Sequence, residues 1–166
     1  TNSGQVCLCG SRILVADAVY DVFVDMLVAE VNSMTVGNPQ LADTDIGSVI
    51  SQEHMKKILY YIDLACNELG RLLTGGKRLS LPKPIADGAF IAPTLIDRIP
   101  IDSRCATEEI FGPVATIHRF SSDEEAIDMA NLTQYGLAGS VWTSDTERGK
   151  AVAEQVESGI LWVNTW

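Results

Sequence analysis

Apolar residues recur along one predicted helical face in Val19, Val22, Phe23, Met26 and Leu27. Their i, i+3, i+4, i+7, i+8 spacing follows the helical period, and Asp17 is the expected cap. Just before them, the continuous run Arg12-Ile13-Leu14-Val15 reads as a strand. A second helix is expected from Ser51, with Met55, Ile58, Leu59, Ile62 and Cys66 on one stripe and Gly70 as its stop. Leu72-Leu73-Thr74 reads as a short strand closed by Gly75-Gly76. Residues 32–45 and 80–88, with their Gly, Pro and polar residues, read as loops. The run Phe90 to Ile96 is extended, with Pro93 marking an edge or a break. Val114 to Phe120 is a further strand, followed by a helix capped at Ser122. Asp123, Glu124 and Glu125 in its first turn suit the positive end of the helix dipole. Ala138 to Thr143 is another strand. Asp145 caps the last helix, and Gly159 stops it before Ile160-Leu161-Trp162-Val163. Strand and helix alternate throughout, so the fold class is α/β.

Composition narrows the function classes. The chain has 166 residues, 46% hydrophobic and 20% charged, the size of one domain able to bury roughly 70% of its unfolded surface. Twelve basic against 22 acidic residues give a formal charge of −10, which argues against nucleic acid as a partner. Lys77-Arg78, the one short basic group, reads as a solvated turn. No apolar run is long enough to span a bilayer and no signal peptide is visible, so no membrane partner is expected. Four scattered cysteines read as reduced thiols of a cytoplasmic protein. The chain opens without Met inside a loop and stops at Trp166 behind an apolar run. Both ends read as cut from something longer.

By its surroundings Cys7 is one candidate nucleophile among four thiols. Gly4 and Gln5 allow a tight backbone approach, and a short helical turn at Leu8 to Gly10 would lower the thiol pKa. By residue type alone, however, a cysteine in such a segment is more often a buried structural thiol. Cys7 and Cys9 supply half a metal site, but Cys66, Cys105, His54 and His118 lack ligand-pair spacing, so no metal is expected. A cysteine hydrolase using His54 or His118 as base is a second reading, and a non-catalytic binding or assembly module is a third. Lys77 after Gly75-Gly76 is not a phosphate loop, because position 71 is Arg and Arg78 replaces the hydroxyl residue.

Two separated motifs change this weighing. Asn2-x-Gly4-Gln5-x-Cys7, with Arg12 five residues on, resembles the active-site signature of the aldehyde dehydrogenase superfamily. Far downstream, Thr107-Glu108-Glu109-Ile110-Phe111-Gly112-Pro113-Val114 resembles the same family's Glu-Glu-Ile-Phe-Gly-Pro segment. Tyr135-Gly136-Leu137-Ala138 and Gly159 to Asn164 are similar to its later strands, so the resemblance covers the chain. It implies that residues 1–166 form the catalytic domain of that fold, with Cys7 as the nucleophile attacking a small aldehyde. The backbone N–H of Cys7 would be an oxyanion donor. The resemblance further implies NAD as cofactor, with NADP as the alternative. Glu109 would hold the nicotinamide ribose and Phe111 would lie by the nicotinamide ring. Lys57 falls where the family places a lysine near the cofactor ribose, whereas His54 departs from the family's Gln; an exposed helical face is the plain reading of both.

Val6 and Leu8 flank the thiol, and Asn164 and Trp166 are the expected substrate-funnel residues. The family's general base, its oxyanion Asn and its Glu-Leu-Gly-Gly-Lys run are not found in this sequence. The chain is therefore expected to be an inactive piece of a homodimeric or homotetrameric enzyme, without the NAD-binding and oligomerisation segments. Cys7 to Ile13 and Leu161 to Trp166 look most similar to the family's muconate-semialdehyde branch.

Overall fold

Val114–Phe120 runs through the middle of a four-stranded sheet, and the rest of the architecture is arranged around it. The computed structural model describes residues 2–166. In chain order the elements are β1 (Arg12–Ala16), α1 (Tyr20–Ser33), α2 (Gln52–Asn67), β2 (Arg71–Thr74), β3 (Thr94–Asp97), α3 (Arg104–Thr107), β4 (Val114–Phe120), α4 (Asp123–Asn131), β5 (Ala138–Val141), α5 (Thr146–Ala153) and β6 (Ile160–Val163). The larger sheet has the order β1-β4-β3-β2, and β5 and β6 form a second, two-stranded sheet. β4 is parallel to both β1 and β3, with Ile117 opposite Ile13 on one side and Asp97 on the other. β2 closes the edge antiparallel to β3. The α/β class matches the pattern of the sequence, and Pro93 does break its extended run: β3 starts only at Thr94.

Alternation along the strands sends residues to two separate cores, as a pleated sheet requires. Ile96 and Val114 face α2 and α3, where Met55, Ile58, Ile62, Ala65, Cys105 and Ile110 are buried with them. Leu95, Ile117 and Val15 face α1, which covers them with Tyr20 and Val24. Helix starts were readable where a side chain caps them. The Ser51 hydroxyl accepts from His54 N at 3.0 Å, Ser122 from Glu125 N at 3.2 Å and Asp145 from Arg148 N at 3.0 Å. Each satisfies one of the four orphan amides of a helix start.

α1 corrects the expected pattern twice. Asp17 is not its side-chain cap; it lies in a 3₁₀ turn, Asp17–Val19, and pairs with Arg119 at 3.8 Å. Of the predicted face only Leu27 packs on the core; Val19, Val22, Phe23 and Met26 are exposed, Val22 by 68% and Met26 by 69%. The buried face is Tyr20, Val24, Leu27, Val28 and Val31. Tyr20 sets this rotation. Its hydroxyl donates at 3.1 Å to Asp97, a carboxylate only 1% exposed. Arg71, directly opposite on β2, holds the same carboxylate with two hydrogen bonds of 2.9 and 2.6 Å. The Arg119 guanidinium lies over the Tyr20 ring at 3.8 Å. Turning α1 to bury Val22 would strip the buried carboxylate of a partner, which costs more than burying one more valine returns. On α2, Ala65 takes the buried place expected for Cys66, which is exposed.

Candidate active site

The loop that carries Cys7 begins in a left-handed turn. Asn2, Ser3 and Gly4 have φ of 48°, 53° and 72°. Asn visits this region at low cost, and its side chain pays some of it back by donating to Gln5 O at 2.9 Å. Two side chains then tie the loop to the segment before α2. Ser3, buried, donates to Gly47 O at 2.9 Å, and Gln5 Oε1 accepts from Ile50 N at 2.9 Å. Gly4 lies directly against the peptide of Gly112. A Cβ on it would stand 2.0 Å from Gly112 O and 2.9 Å from Pro113 N. The glycine is thus where the two sequence motifs touch.

Cys7 and Leu8 form the corner of a reverse turn closed by Cys9 N donating to Val6 O at 2.9 Å. The helical turn expected at Leu8 to Gly10 is absent, so no helix start faces the thiol. Cys7 is exposed, and Val6 and Leu8 beside it are half-buried. Among the described residues the Cys7 amide donates to no protein acceptor. An exposed thiol with an unspent amide on the same residue is what an incoming carbonyl needs from a nucleophile and one oxyanion donor. Neither imidazole serves as its base. His118 is buried on β4 with Nε2 3.0 Å from Thr116 Oγ1, and burial, then the nearby Arg12, pushes its pKa down to about 4. His54 Nε2 faces the carbonyl of Phe111 at 2.6 Å.

The second motif is held from α2. Glu108 accepts two hydrogen bonds from Arg104, at 2.7 and 3.0 Å, and one from the Tyr61 hydroxyl. Arg104 first and Tyr61 second hold its carboxyl well down, at about 2. Glu109 behaves differently: it is exposed, and its carboxylate has no partner among the described residues. Only its backbone carbonyl is held, by Lys57 Nζ at 3.1 Å. Lys57 therefore reaches the motif, through a main-chain contact. Phe111 has φ of 60°, and its ring meets His54 edge-on at 6.2 Å between centroids. Gly112 is buried, and a Cβ there would stand 2.5 Å from Ile58 Cδ1.

On the opposite side of the thiol loop, a Cβ on Gly10 would lie 3.7 Å from the Trp166 ring. Trp166 in turn sits 5.7 Å from Trp162. Asn164, at φ 55°, accepts from Thr143 N at 2.8 Å through Oδ1 and so braces β5 against β6. Arg12, the last residue of the thiol motif, donates to Met129 O and Ala130 O at 2.7 and 2.9 Å, at the carbonyl end of α4. The roles of Ser3, Gln5 and Tyr61 were not visible in the sequence, because their partners lie more than forty positions away. The Arg104–Glu108 pair carried a readable signal in its i,i+4 spacing.

The segment that carries the exposed Glu109 and the half-buried Phe111 thus meets the thiol loop at the Gly4–Gly112 contact. The chain belongs to the aldehyde dehydrogenase family, whose profile matches residues 1–166. Among its relatives it is 43% identical over 163 residues to the betaine aldehyde dehydrogenase of Bacillus subtilis (strain 168), covering 98% of this chain and 33% of that one. It is 40% identical over 165 residues to the 2-hydroxymuconic semialdehyde dehydrogenase of Pseudomonas sp. (strain CF600), covering 99% and 34%. The betaine aldehyde dehydrogenase of Staphylococcus aureus, solved in complex with NAD+, superposes with a TM-score of 0.95 at 41% identity, over 99% of this chain and 33% of that one. The chain thus spans about a third of the length of the relatives it matches.

Proposed function

We propose that residues 1–166 are the catalytic domain of a longer NAD-dependent aldehyde dehydrogenase in which Cys7 is the nucleophile. The observation that carries this reading is the seating of Gly4 on Gly112, which joins the exposed Cys7 to the Glu109–Phe111 shelf. The Cys7 sulfur adds to the aldehyde carbon, forming a C–S bond while the thiol proton leaves to solvent or base. The Cys7 amide, free of any protein acceptor among the described residues, steadies the oxygen as charge develops on it. NAD, when bound, accepts the hydride from that carbon, leaving a Cys7 thioester. Water then cleaves the thioester to the carboxylate and frees the thiol. Glu109 fits the cofactor because its carboxylate is exposed and uncommitted, able to accept from two ribose hydroxyls. Phe111 offers an apolar face beside it, and Lys57 fixes the Glu109 backbone. In this reading Val6 and Leu8, the neighbours of Cys7 in the chain, line the substrate funnel together with Trp166, which rests on Gly10, and Asn164.

The substrate in this reading is a muconic-type semialdehyde. The similarity of Cys7 to Ile13 and Leu161 to Trp166 to that branch supports it. So do relatives such as the 2-aminomuconic semialdehyde dehydrogenase of Mus musculus, 41% identical. The longer enzyme is read as a cytoplasmic homodimer or homotetramer; no helix among the described residues is long and apolar enough to cross a membrane. A hydrolase would need an imidazole on Cys7, and both imidazoles are engaged elsewhere. The 166-residue chain alone, in which neither imidazole serves Cys7 among the described residues, is expected to be inactive. The test is NADH formation by the longer enzyme from 2-hydroxymuconic semialdehyde and from betaine aldehyde. Activity abolished in Cys7→Ser and a higher kcat/KM for the semialdehyde are expected. A Cys7→Ser enzyme that still makes NADH overturns the mechanism, and a preference for betaine aldehyde overturns the substrate.

A further inference from the structure

We infer that His54 is a positioning residue that sets both halves of the site at once, through the backbone of Phe111 and Gly112; the inference rests on the site assignment above. The first two turns of α2 touch the downstream motif at three places. Lys57 holds the carbonyl of Glu109, His54 that of Phe111, and Ile58 packs on Gly112 where only glycine fits. Of these, the His54 contact has the most to restrain. Phe111 is a bulky residue in the left-handed region, a conformation that persists only when its surroundings over-determine it. Its carbonyl accepts only, so Nε2 carries the proton and donates to it at 2.6 Å. The ring of the same histidine meets the Phe111 ring edge-on. One side chain therefore fixes both the peptide and the ring of Phe111.

The next peptide along is the one that Gly4 rests on. Gly112 O meets Gly4, and it also accepts from Val114 N at 2.8 Å, while Pro113 O accepts from Thr94 N at 2.8 Å. The Phe111–Gly112 peptide is thus held from α2, and the adjoining Gly112–Pro113 peptide lies under the thiol loop. The thiol loop is in turn tied at Ser3 and Gln5 to residues 47 and 50, just before α2 begins. If His54 lets go, Phe111 relaxes toward ordinary φ, its ring leaves the cofactor face, and the support beneath Gly4 shifts. Among the described residues His54 makes no contact with Cys7, so its action on the thiol loop runs through Phe111 and the peptide that follows it.

The experiment is peptide-resolved hydrogen exchange on this chain, comparing wild type with His54→Leu, His54→Gln and His54→Asn. The Gln amide reaches the Phe111 carbonyl and the shorter Asn amide does not. Exchange is expected to rise about tenfold in Leu and Asn, the factor one net hydrogen bond is worth. The rise should fall at Phe111 to Val114 and at Gly4 to Cys9, with Gln restoring wild-type rates. Unchanged exchange along β3 and α1 marks a folded variant; should the Leu variant unfold, the Gln and Asn pair gives the same comparison. Equal rates in Gln and Asn, or a rise at Phe111 to Val114 that leaves Gly4 to Cys9 unaltered, overturns the inference. In the longer enzyme, Asn should raise KM for NAD about tenfold and lower kcat, with the aldehyde KM little changed and Gln again restoring both. A wild-type enzyme without NAD-dependent activity would sink the assigned function alone, because the exchange measurement judges His54 without it.

Discussion

Gly4→Ala should cost this site more than any other single methyl group added to the thiol loop. Two costs combine. At φ 72° an alanine is in the left-handed region, worth roughly 1–2 kcal/mol against it. In addition its Cβ would stand 2.0 Å from Gly112 O and 2.4 Å from Gly112 C. Both are backbone atoms and cannot swing aside. An ordinary C···O approach is about 3.3 Å or more, so the two loops must part by roughly 1.3 Å. A misplacement of about 1 Å at a reacting group costs on the order of 100-fold in rate. The combined destabilisation, about 2–4 kcal/mol, would lower Tm of a chain this size by roughly 5–15 °C. Gly10→Ala is the matched control, since its Cβ would make an ordinary 3.7 Å contact with Trp166 and its φ is not in the left-handed region. Thermal unfolding of both variants in this chain, and kcat in the longer enzyme, decide the matter. A Gly4→Ala protein within threefold of Gly10→Ala in kcat, and within 2 °C in Tm, would refute the reasoning (both thresholds are about the resolution of such assays).

Two stability predictions follow from two of the buried polar groups, Asp97 and His118. Asp97→Ala leaves the Arg71 guanidinium and the Tyr20 hydroxyl without their shared acceptor. Because Arg71 is 46% exposed and water can replace its partner, the loss should fall near the lower end of the roughly 3–5 kcal/mol typical of broken buried pairs, read from urea midpoints. His118 is buried neutral, with its pKa lowered to about 4 against about 6.5 when unfolded. The unfolded chain binds the extra proton first, so stability holds above pH ~6.5 and falls as pH drops toward ~4, by up to about 3 kcal/mol. His118→Gln should flatten that window in denaturation midpoints measured across it, and a slope unchanged by the substitution would sink the assignment.

What could be read from the sequence depended on whether the deciding partner was local. Ser51, Ser122 and Asp145 announce their helices because each caps an amide three residues ahead. β4 carries apolar residues on both faces, Val114 toward one core and Ile117 toward the other, because it lies at the sheet centre. α1 was misjudged because two of its faces are apolar, and the choice between them rests on Tyr20 reaching Asp97, seventy-seven positions away. The site divides in the same manner. Cys7, Glu109 and Phe111 enter the proposed site through motif resemblance alone. The parts that assemble them act on main-chain atoms: Ser3 on Gly47, Gln5 on Ile50, and His54 on Phe111. A carbonyl leaves no mark on residue identity, so such contacts are silent in a single sequence. Even the His54 departure from the family's Gln keeps an N–H donor, which is what the Phe111 carbonyl requires.

The second sheet has a consequence for how the site breathes. Thr94 to Asp97 and most of β4 are sealed between two cores, whereas no residue of β5 or β6 is fully buried, and α4 likewise buries none. Local opening follows buried apolar contact, so in this chain β5 and β6 are expected to detach and re-dock far more often than the sheet that supports the shelf. One wall beside Cys7, the Glu109–Phe111 side, is thus anchored masonry. The other side of the thiol loop, where Trp166 leans on Gly10, is a door hung on a light frame.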